Sequence, residues 1–158
     1  MIIKKTLNNN PIIYHKTPQF LSSSYAKGNT GLNNKKLSQN NTGTYFEQIL
    51  KSNLSNCIVP SVYKRVDGSN YKPDIETPLS IISCKVQETQ GTAWQKIILE
   101  ALDLEYISSQ TNKKILLVCS DYSWSKYFYK LEPYLNMLLL NNVSLYTETS
   151  FNSISSTL

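Results

Sequence analysis

Three stretches of the chain place acidic, basic and small polar residues at spacings that suit hydrolytic chemistry. They are Pro73-Asp74, then Ser83-Cys84-Lys85, then Gly91-Thr92-Ala93-Trp94-Gln95-Lys96. In an extended strand side chains alternate, so Ser83, Lys85 and Gln87 are expected on one face. Lys96 and Glu100 are four apart and would share one face of a helix. A carboxylate pair can hold a divalent cation against a phosphate ester, polarise it and activate a bound water. A neighbouring lysine can orient that water and stabilise the charge developing in the transition state. Other chemistries are poorly provided for. His15 is the single histidine, and Cys57, Cys84 and Cys119 form no C-x-x-C pair. A multi-histidine zinc centre is excluded, and neither a structural zinc site nor a disulfide framework is expected. Any metal here would be held by oxygens, which points to Mg²⁺ or Mn²⁺.

The elements that must position these residues can be read from periodicity. The 158 residues suit one α/β domain, with 41% hydrophobic and 17% charged residues. Residues 1–42 are rich in Asn, Ser and Lys and read as an irregular basic and polar arm. Thr44 and Glu47 match a capping box, followed by Phe46, Ile49, Leu50 and Leu54 at helical spacing, which predicts a helix over 45–54. A strand is expected over 57–66, a turn at Asp67-Gly68, a second strand through 72–76 and a third over 79–86. Thr92 and Gln95 form a second capping-box match, opening a helix over 93–108. The run Lys114–Cys119 predicts a buried strand. Trp124 to Leu138 predicts a helix bent near Pro133, and Val143–Thr147 a last strand. The expected architecture is therefore a mixed β-sheet of about five strands flanked by helices.

This order of residues resembles the PD-(D/E)XK nuclease superfamily, which includes many restriction endonucleases. In that superfamily an Asp follows a Pro at one strand, a neighbouring strand carries acid-x-Lys, and a helix follows. The matching positions are Asp74 and Lys85, with Glu47 on a preceding helix and Gln87 to Lys96 leading into the following one. The resemblance spans residues 43 to about 150 and implies a restriction-endonuclease-like domain over 43–158. It departs at Ser83, where the family has an acid. Some restriction enzymes with Ser-x-Lys draw that acid from the following helix, which implies Glu100. Glu76 is the second candidate and Glu88 the third. The implied catalytic set is Asp74, Lys85, Glu100, Glu47 and Gln87, with Asp74, Glu100 and Glu47 as metal ligands.

What the resemblance implies is a Mg²⁺-dependent DNA endonuclease, site-specific in the manner of type II restriction enzymes, with Mn²⁺ as a substitute. Its partner would be double-stranded DNA, with a possible homodimer and no small-molecule cofactor. Expected nucleic-acid contacts are Ser83, Gln87, Thr92, Lys96, Lys64 and Arg65, with Lys27, Lys35 and Lys36 of the arm. A net charge of +5 suits a polyanionic partner. The alternatives are a junction or repair nuclease of the same fold, and an inactive nucleic-acid-binding module. An enzyme needs a second carboxylate close to Asp74 and Lys85; a binding module does not. The N-terminus shows no signal-peptide pattern and no apolar run reaches the ~20 residues of a membrane span, so a soluble intracellular protein is expected, in cytoplasm or organelle matrix and not secreted.

Overall fold

The computed structural model describes residues 2–7, 10–15, 39–87, 91–138 and 140–158. Within the arm, β1 (Ile2–Leu7) and β2 (Asn10–His15) pair antiparallel from Ile2↔His15 to Leu7↔Asn10. The arm is therefore not irregular throughout: Ile2, Ile3, Ile12 and Ile13 supply the β-branched content that favours a hairpin. Lys27, Lys35 and Lys36 lie outside the described residues, as does Glu88.

Helix α1 spans Gln39–Ser52, starting well before the expected boundary at 45. Thr44 is thus inside the helix, and Glu47 closes no capping box with it. Phe46 and Leu50, one turn apart, are fully buried and anchor α1 on the sheet. The expected strand over 57–66 shrinks to an Ile58↔Glu76 bridge and to β3 (Tyr63–Lys64). Pro60 has no N–H to donate to a ladder, and the Ser61 N–H is spent on the Glu76 side chain. β3 pairs with β4 (Asn70–Tyr71) around Gly68, whose φ of 82° suits glycine.

Among the described residues the central sheet has four strands, not five. Its order is β5 (Ile75–Glu76), β6 (Ser80–Lys85), β7 (Lys114–Cys119) and β8 (Val143–Thr147). β5 and β6 are antiparallel, whereas β6, β7 and β8 are parallel. Helix α2 (Ala93–Ile107) forms the crossover from β6 to β7 and buries Ile97, Ala101, Leu104 and Ile107. Thr92 precedes it without a side-chain cap; only its carbonyl engages, accepting the Gln95 N–H at 3.0 Å. The predicted bent helix is divided into α3 (Asp121–Lys126), a 3₁₀ turn (Phe128–Leu131) and α4 (Glu132–Met137). Pro133 sits in the first turn of α4, where its missing N–H costs nothing. Helix α5 (Glu148–Asn152) follows β8 directly.

Strand alternation divides the core into two faces. Ile81, Ile115, Leu117, Cys119, Val143 and Leu145 pack under α2. Ile82, Leu116 and Val118 pack against Phe46, Leu50 and Phe151 on the other side. Ser83 and Lys85 share the period of Ile81, so they lie on the α2 side. Among the described residues, no helix is long and apolar enough to cross a membrane.

Candidate active site

Pro73 is buried and Asp74 follows it half-buried, between β4 and β5. The β5–β6 ladder ends at Ile75↔Ile82, and the Cys84 N–H beyond it donates to Asp74 Oδ2 at 2.7 Å. The Ser83 hydroxyl is fully buried on the neighbouring residue. It lies 3.5 Å from Asp74 Oδ2 and also donates, through a short contact, to Glu100 Oε1. One serine hydroxyl therefore spans the two carboxylates. Glu100 reaches this point from α2, two turns into the helix, and its Oε2 pairs with Lys85 Nζ at 2.6 Å. Lys96, four residues earlier on the same helix, is exposed. Asp74, Ser83, Lys85 and Glu100 thus meet near the carboxyl-terminal end of β6, joined by residues from three parts of the chain.

The electrostatics of this cluster are unbalanced. Burial pushes the Asp74 carboxyl above its ordinary value; the Glu100 and Glu47 charges add to that, against opposition from Lys85 and the Cys84 N–H. For Lys85, burial acts to lower the pKa, but the Glu100 and Asp74 carboxylates outweigh it and hold the ammonium above its usual value. Burial pushes the Cys84 thiol far up, reinforced by Asp74 and Glu47, and the Cys119 thiol rises for the same first reason. Neither cysteine is a poised thiolate.

The other expected site residues fall elsewhere. Glu47 lies on α1 and pairs with Lys51 at 2.6 Å; it influences Asp74 through its charge. Gln87 lies two residues beyond the end of β6 and is 7% exposed. Its amide instead donates to the Gly91 carbonyl at 3.3 Å. Ser83 is too deep to touch a nucleic acid and serves between the carboxylates instead. Arg65 is committed to Asp103 at 3.0 Å and stacks over the Tyr71 ring at 5.0 Å. Lys64 donates to Asn70 across its hairpin. Thr92 and Lys96 are exposed at the start of α2. Glu76, the second acidic candidate, is fully buried and faces the Ser61 N–H, the Tyr63 hydroxyl and Lys113 at 2.6–2.7 Å.

Sequence reasoning missed Tyr71. This residue is 4% exposed, and its hydroxyl donates to Glu100 Oε1 at 3.4 Å. Its three-residue offset from Asp74 carries no recognisable pattern, and only the β3–β4 hairpin brings it into the cluster.

Among the described residues no group of three or more His, Cys, Asp or Glu side chains is placed to hold a metal ion. Two carboxylates nevertheless suit Mg²⁺, which keeps several waters and takes one or two carboxylates from protein. By formal charge, the Asp74 and Glu100 side chains outnumber the single Lys85 ammonium paired with them. By contrast, a cavity of about 600 Å³ at the other end of β7 and β8 is lined by Lys113, Lys114, Asn141 and Asn142 and, among the described residues, by no acidic side chain.

Comparison with protein-family models, curated proteins and solved structures gives no match.

Proposed function

We propose that this chain is a Mg²⁺-dependent DNA endonuclease of the PD-(D/E)XK type, with a restriction-endonuclease-like fold built on the mixed sheet. The observation that carries the reading is the convergence of Asp74 and Glu100 on the Ser83 hydroxyl, with Lys85 on Glu100. On this reading α2 would supply, through Glu100, the acid that position 83 lacks.

Asp74 and Glu100 would hold the cation. When bound, Mg²⁺ would polarise the scissile phosphate and lower the pKa of a bound water. The Cys84 N–H holds Asp74, and the Ser83 hydroxyl, with its one proton on Glu100, holds that carboxylate beside it. Burial acts to lower the Lys85 pKa, but Glu100 and Asp74 hold it above the usual value, so Lys85 would reach the phosphate, on leaving Glu100, as a charged donor and not as a proton acceptor. Thr92 and Lys96 at the start of α2 would meet the flanking backbone. Two-fold pairing of subunits would let each cut one strand.

The test is digestion of supercoiled plasmid with purified protein in Mg²⁺ or EDTA, beside Lys85→Ala. Discrete, metal-dependent fragments absent with the variant support a site-specific endonuclease. Nicking, or cleavage of junctions alone, moves the reading to a structure-specific nuclease. A second reading, a nucleic-acid-binding module, draws on the closed Lys85–Glu100 pair. It predicts a salt-dependent gel shift with no cleavage in Mg²⁺ or Mn²⁺.

A further inference from the structure

We infer that Tyr71 is a positioning residue for Glu100: its hydroxyl helps hold Oε1 in place while Oε2 exchanges Lys85 for a divalent cation. This rests on the reading of Asp74 and Glu100 as metal ligands.

The two oxygens of Glu100 are used differently. Oε1 accepts from two neutral hydroxyls, those of Ser83 and of Tyr71 at 3.4 Å. Oε2 takes the Lys85 ammonium at 2.6 Å. Lys85 cannot stabilise charge on a phosphate while it stays on Glu100, and its four-carbon stem lets it move between the two. Once it leaves, the neutral donors on Oε1 are what keep this carboxylate aimed at Asp74. A glutamate has enough rotamer freedom for that restraint to matter.

Tyr71 is itself braced. The Arg65 guanidinium lies 5.0 Å above its ring and bonds to Asp103 Oδ2 at 3.0 Å. Asp103 is three residues after Glu100 on α2, and its second oxygen accepts the Val66 N–H at 3.2 Å. The β3–β4 hairpin therefore grips α2 at Asp103 and at Glu100, one turn apart. A purely apolar role would need only a phenylalanine; here a buried hydroxyl is aimed at the carboxylate cluster. Donors that orient metal ligands in this way typically change metal affinity by 10–100-fold when removed.

The experiment is calorimetric titration of Mn²⁺ into the full chain, comparing wild type, Tyr71→Phe and Glu100→Gln. Each is paired with a melting curve in EDTA and with cleavage rates across a Mg²⁺ series. Tyr71→Phe is expected to bind Mn²⁺ at least tenfold more weakly and to need correspondingly more Mg²⁺. Its cleavage rate at saturating metal and its melting temperature should stay near wild type. Glu100→Gln should lose binding. If wild type binds Mn²⁺ and Tyr71→Phe binds it equally well, or if the rate at saturating metal falls with no change in affinity, the role assigned to Tyr71 is wrong. If wild type itself takes up no Mn²⁺, the metal-site reading fails first.

Discussion

Replacing Asp74 with asparagine should stabilise the metal-free protein and destabilise it relative to wild type once Mg²⁺ is present. Three influences disfavour the Asp74 charge: burial, Glu100 and Glu47. Two favour it: Lys85 and the Cys84 N–H. The net displacement of its pKa is upward. A carboxyl whose folded pKa lies above its unfolded value adds stability below the unfolded pKa, and that stability is lost as pH rises through the folded pKa. At neutral pH the Asp74 charge is therefore a net cost. Asparagine keeps an oxygen for the Cys84 N–H and removes the repulsion from Glu100, and Lys85 keeps its partner on Glu100. Relief of a single unfavourable charge commonly yields about 0.5–2 kcal/mol, a rise of a few °C in Tm for a chain of this size. Mg²⁺ at a hundred times its Kd would add about 2.7 kcal/mol to wild type, and far less to a variant lacking one of its ligands. Thermal melts of both proteins in EDTA and in Mg²⁺ should therefore cross in rank. A variant less stable than wild type in EDTA, or a wild type whose Tm ignores Mg²⁺, would refute the reasoning.

Other outcomes follow from the same packing. Lys113→Met leaves the buried Glu76 charge without its cation and should cost about 3–5 kcal/mol in urea denaturation at pH 7. Burial raises the Glu76 pKa, but Lys113, the Ser61 N–H and Tyr63 together bring it below the usual carboxylate value. Wild-type stability from this residue is thus present above pH 4.5 and should fall as pH drops through the lowered folded value, which an acid titration of Tm would show. Gly68→Ala meets no atom within 4 Å, so its cost is the backbone strain at φ 82° alone, about 1–2 kcal/mol by denaturant midpoint. A loss above that would place a hidden packing role at the turn.

Much of the fold was legible because local pattern and final environment agree. Lys114–Cys119 is a continuous apolar run and becomes a central parallel strand; Val143–Thr147 alternates and buries every second residue. Ala93–Ile107 carries helical spacing and becomes the crossover helix. Ser83 and Lys85 on one face were legible from strand alternation, whereas Asp74 beside that strand and Glu100 from the next helix were implied by the resemblance. What escaped depended on distant partners. The Thr44–Glu47 pattern looks like a helix start, yet the helix already runs from Gln39, and sequence alone does not separate a cap from an interior threonine. Glu76 shares a short strand with the site but belongs to Lys113, 37 residues away. Gln87 keeps the parity of Lys85 only if the strand continues, and it ends at Lys85. Tyr71 and Arg65 join the cluster through a hairpin whose strands are two residues each, too short for periodicity to reveal.

The central claim is that Asp74 and Glu100 form one cation site that Lys85 overlooks. Crystals grown with Mn²⁺ and measured for anomalous scattering test it most directly. The account predicts a peak about 2.0–2.6 Å from an oxygen of each carboxylate, with Lys85 Nζ withdrawn from Glu100. No peak between these residues at saturating Mn²⁺, or one bound elsewhere with the Lys85–Glu100 pair intact, would contradict it.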